Sequence, residues 1–439
     1  MTITHLDVDV APGEVPTTDL SLEEIRLGDL EQWMRPDRDG IFAKLRAERP
    51  VSFHDEPDYV DPATGEQVLP PGPGFWALTR FDDVLRVSRD AETFHSAPTS
   101  QIGDMPAELA EWLGSIINLD APKHTRLRSI VNRGFTPRRV RDLHDTIRAV
   151  AVEVIEEAAP LGECDFVSEV AAKLPLTIIC DMLGIPRSDH QRLYELTNKV
   201  LGVGDPELVT SMADLMAAGM ELFQYGLALG ERRLADPGDD ITSALMHAEI
   251  EGEDGEAHRL TSSEMGSFFL LLVAAGNETT RTAISHGLLQ LTRHPDQRRI
   301  WTDDVEGVSA TAVDEIVRWA TPVIHFRRTA TRDTEVGGQP IAAGEKVVMI
   351  YPSANRDETH FADPYSFDVR RSPNDHVGFG AGGPHFCLGA NLARVEIRVM
   401  FDELFRRLPD IEAAGEPDCL HSAFINGIKR LPCRFTPRA

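Results

Sequence analysis

"GFGAGGPHFCLGANLARVEI" (residues 378–397) holds one cysteine, Cys387, in a loop made largely of glycine. Beyond it, apolar Leu392, Val395, Val399 and Leu404 recur at helical spacing, which predicts a helix over 390–408. Cys387 therefore stands just before a helix N-terminus. Free backbone N–H groups and the positive end of the helix dipole lie there, and both favour thiolate over thiol. Gly378, Gly380, Gly382, Gly383 and Gly389 have no side chains, so a flat, bulky group could lie close to the backbone.

A thiolate beneath a flat partner suits a haem iron, onto which sulfur pushes electron density. Two other readings stand beside this one. Cys387 could be a nucleophile with His385 as its base, although no third orienting group is evident. It could also be a buried structural cysteine.

The 439-residue chain carries a net charge of −27, which argues against nucleic-acid binding and against an anionic membrane surface. Its five cysteines are irregularly spaced, with no CxxC pair, so neither a disulfide framework nor a structural zinc site is expected. The opening residues are polar and acidic, unlike a signal peptide or anchor, and the apolar run "FFLLLVAA" (268–275) is too short to span a bilayer. A cytoplasmic location is expected.

Apolar periodicity predicts amphipathic helices near 137–159, 168–184, 208–235, 262–293, 308–319 and 390–408. Strand-like patches are short and gather near 323–348, with another in "LPCRFTPRA", and "GFWALTRFDDVLRVSRD" (74–90) starts as a strand and ends as a helix. The expected fold class is mainly α with a small β portion. Residues 1–20 form a flexible arm and 21–439 a single domain. The helix over 262–293 is apolar nearly all round before Gly276, as a buried helix is. Gly276, Asn277, Glu278, Thr279 and Thr280 then interrupt it, which suggests a loosened, polar break with something seated against it.

These stretches resemble the cytochrome P-450 family. Phe379, Gly383, His385, Cys387 and Gly389 match its haem-binding signature, with Phe379 eight residues before the cysteine where seven is commonest. "AGNETT" (275–280) resembles the oxygen-activating segment of the family's long central helix. Glu315 and Arg318 in "EIVR" resemble the buried Glu-x-x-Arg pair, with Arg371 as its third member. His124 and Arg128 in "HTRLR", with Arg328 and His385, match groups that hold the haem propionates. The resemblance implies haem b (iron protoporphyrin IX) on Cys387, oxygen beside Gly276, a hydroxyl from Thr279 and protons through Glu278. It implies a structural role for Glu315, Arg318 and Arg371.

Electrons would come from a ferredoxin and its reductase, since the chain carries no flavin or iron–sulfur module. "KHTRLRSIVNRGFTPRRVR" (123–141) has seven Lys and Arg and no acidic residue, and offers such a partner a docking face. By family position the substrate-lining residues are Ile102, Met105, Ile116, Leu201, Val203, Phe269, Leu272, Val323, Phe326 and Phe424, none of them charged. A hydrophobic substrate follows. "LPLTIICDMLGIPRSDHQRLYELTNKVLGVGDPEL" and "TAVDEIVRWATPV" are similar to actinobacterial members that hydroxylate methyl-branched lipids at the ω carbon or oxidise sterol side chains. A terpenoid or polyketide hydroxylase is the second reading and a haem-based ligand sensor the third. A sensor has no use for the Glu278–Thr279 pair. A monomer is expected.

Overall fold

A computed structural model describes residues 14–70, 72–105, 110, 115–251 and 257–438. The helix Ser262–Arg293, 32 residues long, forms the axis of the molecule. Its start is fixed by a capping box: the Thr261 hydroxyl accepts from the Glu264 N–H at 3.1 Å, and the Glu264 carboxylate accepts from the Thr261 N–H at 2.9 Å. Helices Lys173–Leu183, Met212–Ala235, Val305–Ala320 and Ala390–Arg407 pack around it. Buried side chains on all of these form the largest apolar core.

The β portion is a five-stranded sheet in the order Val51–His54, Phe75–Leu78, Lys346–Ile350, His325–Ala330, Phe94–His95. Its central strand Lys346–Ile350 is buried along its whole length. It runs antiparallel to His325–Ala330, in a register that sets Arg328 opposite Val347. A three-stranded sheet joins Glu163–Asp165 and Glu412–Ala413 to the closing strand Pro432–Arg434.

Most boundaries fall near the predicted ones, with reasons where they do not. The segment 137–159 is two helices, Pro137–Asp142 and His144–Ala158, which meet at Leu143. The segment 168–184 opens with a π turn, Val167–Ala171, and stops where Gly184 turns left-handed at φ 75°. Ser211 caps the next helix by accepting from the Asp214 N–H at 3.1 Å, so that helix begins at Met212 rather than at 208. Arg38–Glu48, Lys123–Val131, His190–Leu201, Ile241–His247 and Pro295–Asp303 are helices without a sequence forecast. Residues 1–13 of the expected arm lie outside the described residues. Residues 14–20 are tied down in part: the Thr18 hydroxyl donates to Asp37 at 2.6 Å, and Leu20 packs on a core cluster.

Candidate active site

The central helix runs unbroken through Gly276–Thr280, contrary to the expected interruption. The Thr279 hydroxyl donates to the Ala275 carbonyl at 2.8 Å and so needs no other partner to stay within the helix. A β-carbon on Gly276 would lie 3.0 Å from Ile179 of the neighbouring helix. That close packing asks for glycine at this position. The opening lies one residue away. Ala275 is exposed, Leu271 and Thr279 are half-buried, and residues 272–274, 277 and 278 are buried. Leu271, Ala275 and Thr279 are spaced four apart, so one stripe of a core helix faces open space.

Cys387 faces open space too: it is exposed, and its N–H donates to the Phe379 carbonyl at 2.9 Å. Surrounding protein pushes its thiol above the ordinary value. The Gly389 N–H, Arg128, Arg394 and the Ala390 N–H pull the other way. Most of the loop glycines serve its backbone. Gly380, Gly382 and Gly383 have positive φ, and a β-carbon on Gly383 would meet the Ser88 carbonyl at 2.3 Å. Gly378 lies against Val317. Gly389 alone among the five has nothing within 4 Å of that position. Phe379 carries the Arg394 guanidinium 4.4 Å from its ring centre.

His124, Arg128, Arg328 and His385 come together from three separate elements. The rings of His124 and His385 are 4.2 Å apart. Arg128 donates to the Phe386 carbonyl at 2.6 Å, and His385 Nε2 is 3.0 Å from the Ser96 hydroxyl. His124 Nε2 is buried with no partner. Burial, followed by the charges of Arg328, His124 and Arg128, pushes His385 down to about 2. Burial and Arg128 lower His124, against a smaller opposite pull from Asp120. A partly buried nest of donors, two of them arginines and one of the histidines orphaned, is suited to an anion.

Glu315, Arg318 and Arg371 also meet. Arg318 grips Glu315 with two bonds of 2.7 Å, and Arg371 Nε donates to Glu315 at 3.1 Å. Arg318 spends a further nitrogen on the carbonyls of Asn355 and Pro364. The cluster is buried and nearly saturated, as a structural ion network must be.

Glu278 does not share the open stripe with Thr279. It is buried and paired with Arg281, which also donates to the Tyr194 hydroxyl at 3.1 Å and to Asn198 at 2.8 Å. Its second oxygen has no partner and would lie 3.3 Å from a β-carbon on Gly427. The carboxylate thus lies off the open stripe. Among the substrate residues, Phe326 and Phe424 stack edge to face at 5.7 Å, and Val323 bridges to Ile425. Ile102 is buried beside them, its carbonyl accepting from Arg327 at 3.2 Å. Met105 and Leu201 are half-buried. Phe269 stacks on Tyr225 at 5.3 Å and against Gly226, so it joins two helices and does not line the stripe. Leu272 is buried one position round from Leu271. Ile116 is buried in the main core, and Val203 is 47% exposed.

Glu396 had no sequence signal beyond a carboxylate in an apolar helical register. It is buried on the helix that follows Cys387 and hydrogen-bonds Thr280, and burial pushes its carboxyl up to about 8.

The sequence profile of the cytochrome P-450 family matches residues 109–410. The chain belongs to the cytochrome P-450 family. It is 51% identical over 430 residues to the methyl-branched lipid omega-hydroxylase of Mycobacterium tuberculosis (strain ATCC 25618 / H37Rv), covering 97% of this chain and 96% of that one. It is 42% identical over 393 residues to a steroid C26-monooxygenase of Rhodococcus jostii (strain RHA1), covering 88% and 80%. The structure of Mycobacterium marinum cytochrome P-450 CYP268A2 in complex with pseudoionone superposes with a TM-score of 0.87 at 42% identity, covering 98% of this chain and 100% of that one. This cytochrome P-450 is therefore a haem-dependent monooxygenase that works with external redox partners on a hydrophobic substrate. No helix among its described residues is long and apolar enough to cross a membrane.

Proposed function

We propose that this cytochrome P-450 hydroxylates the terminal carbon of a methyl-branched lipid chain in the cytoplasm. The observation that carries the substrate class is 51% identity to a methyl-branched lipid omega-hydroxylase across 97% of the chain. The apolar positions Leu271 and Ala275 of the open stripe support it, with no charged side chain among them. A terminal methyl is harder to attack than the methylene beside it, so selectivity must come from positioning the chain end.

Cys387 would ligate the iron. The donor nest of His124, Arg128, Arg328 and His385 fits two propionates, and the space at Gly389 fits the edge of a flat ring. Haem b, when bound, supplies oxygen activation. The protein's part is to hold, orient and exclude water. Thr279 presents its hydroxyl on the open stripe, where it can accept a bond while donating to Ala275. Glu278 would move a proton only after releasing Arg281, which couples that step to Tyr194 and Asn198 on helix His190–Leu201. Glu315, Arg318 and Arg371 would brace the segment 355–374, which precedes the loop that carries Cys387. We place all of this in one haem domain, residues 21–439, acting as a monomer.

A spectral titration tests the substrate class. Methyl-branched fatty acids should give a high-spin shift at lower concentration than straight chains of equal length, sterols or macrolides, and turnover should yield the terminal alcohol. Tighter binding of a macrolide or terpenoid, with hydroxylation there, would favour a role in secondary metabolism. Absence of turnover with any electron donor would favour a ligand sensor.

A further inference from the structure

The strands Glu163–Asp165 and Pro432–Arg434 lie far apart in the chain and pair antiparallel, with Cys164 directly opposite Cys433. Backbone bonds of 2.8 Å run from the Phe166 N–H to the Leu431 carbonyl and from the Phe435 N–H to the Gly162 carbonyl. They lie two positions to either side, which puts the cysteines in the hydrogen-bonded register. In that register Cα atoms stand about 5.5 Å apart, within the roughly 4.4–6.8 Å that a disulfide spans. The two Sγ atoms are 3.5 Å apart and both thiols are free. Cys433 is buried in the main core and Cys164 is half-buried at its edge. The oxygen chemistry makes no use of either sulfur.

We propose that Cys164 and Cys433 form a reversible disulfide on two-electron oxidation by hydrogen peroxide, the by-product that an uncoupled monooxygenase releases. Cys164 is the attacking sulfur because it is the accessible one. The hydrogen bond with Cys433 lowers the Cys164 thiol, aided by Lys173 and opposed by burial, Glu169 and Asp165. The same contact raises Cys433. The Cys164 thiolate attacks one peroxide oxygen, the O–O bond breaks, and hydroxide leaves a sulfenic acid behind. The Cys433 thiol then attacks that sulfur. The S–S bond forms, the S–O bond breaks, and the oxygen departs as water with the thiol proton. In sum two thiols lose two hydrogens and one peroxide becomes two waters. The bond would link positions 269 apart and clamp the closing strand to the strand that precedes the π turn. It rests on no reading of the substrate.

The test uses the full haem-loaded chain, oxidised with hydrogen peroxide, cleared with catalase and kept free of reductant. Expected are a mass loss of two hydrogens, two fewer titratable thiols and a peptide pair joined through Cys164 and Cys433, all reversed by dithiothreitol. Cys164→Ser should abolish the cross-link. Cys433→Ala should leave a sulfenic acid on Cys164 that dimedone traps. If both cysteines of the wild-type chain remain thiols, or if Cys164 runs on to sulfinic acid while Cys433 stays free, the proposal is wrong. Both overturning results are read on the unaltered chain, so a variant that fails to fold does not shelter it.

Discussion

Thr279 is the one hydroxyl on the open stripe of the central helix, and its proton is committed to the carbonyl of Ala275. In the proposed role it would serve oxygen chemistry through its lone pairs, so removing it should leave binding intact. Thr279→Ala is expected to keep haem content and substrate affinity, and to lower product per NAD(P)H by roughly tenfold or more as peroxide takes its place. Equal product per NAD(P)H in variant and wild type would remove Thr279 from the chemistry. Glu396 allows a second test at this scale. Burial pushes its carboxyl up to about 8 in the folded chain, against an ordinary value of 4.5. Between those values the folded state binds the extra proton, so stability present at low pH is lost as pH rises from about 4.5 to 8. The loss amounts to at most about 1.4 kcal/mol for each pH unit. Glu396→Gln keeps the neutral shape and should flatten that slope. Denaturant unfolding across the window reads the difference.

The helix Ser262–Arg293 and the cysteine loop make the site as elements, and they differ in how far the sequence discloses them. The helix and its polar segment are legible from apolar periodicity, whereas Glu315–Arg318 is legible only through its resemblance to the family's Glu-x-x-Arg pair. The direction of each side chain is not. Gly276 proves to make room for Ile179, and Glu278 turns to Arg281, because both answer to neighbours brought in by the tertiary fold. Short helices such as Lys123–Val131 carry too few apolar positions to declare themselves, and Phe269 reads the same whether it lines a pocket or joins two helices. The loop glycines separate by position as well. Gly383→Ala places a β-carbon 2.3 Å from the Ser88 carbonyl at φ 78°. It should cost roughly 1–3 kcal/mol or more and lower the yield of folded chain. Gly389→Ala meets open space at φ −85° and should leave haem-free stability within about 1 kcal/mol. It should nonetheless weaken haem retention, because it fills the space assigned to the ring. Haem absorbance per chain, set beside urea unfolding, separates the two. A Gly389→Ala chain that holds haem as the wild type does would put the ring elsewhere.

At the scale of the whole molecule, a chain of net charge −27 repels an acidic protein everywhere except where cations gather. The stretch 123–141 divides into inward and outward parts. His124 is buried and Arg128 reaches the cysteine loop, while Arg126 lies 3.8 Å from Glu264. Arg138, Arg139 and Arg141 are exposed on the helix Pro137–Asp142 and make no ion pair among the described residues. That helix packs against Ala390–Arg407, the helix that begins just beyond Cys387, and we propose that these free charges form the docking face. An acidic ferredoxin arriving there would be steered by a local field opposite in sign to the rest of the surface, and salt would screen that field within about 10 Å. Replacing all three arginines with glutamate should slow the first electron transfer at low salt by roughly tenfold or more. It should also flatten the fall of that rate with ionic strength and leave the substrate-induced spectral shift unchanged. The shift shows that the haem side is intact, so a slower rate then reports the encounter alone. Stopped-flow reduction at several salt concentrations measures it, and an unaltered rate and salt slope in the triple variant would move the docking face off this helix.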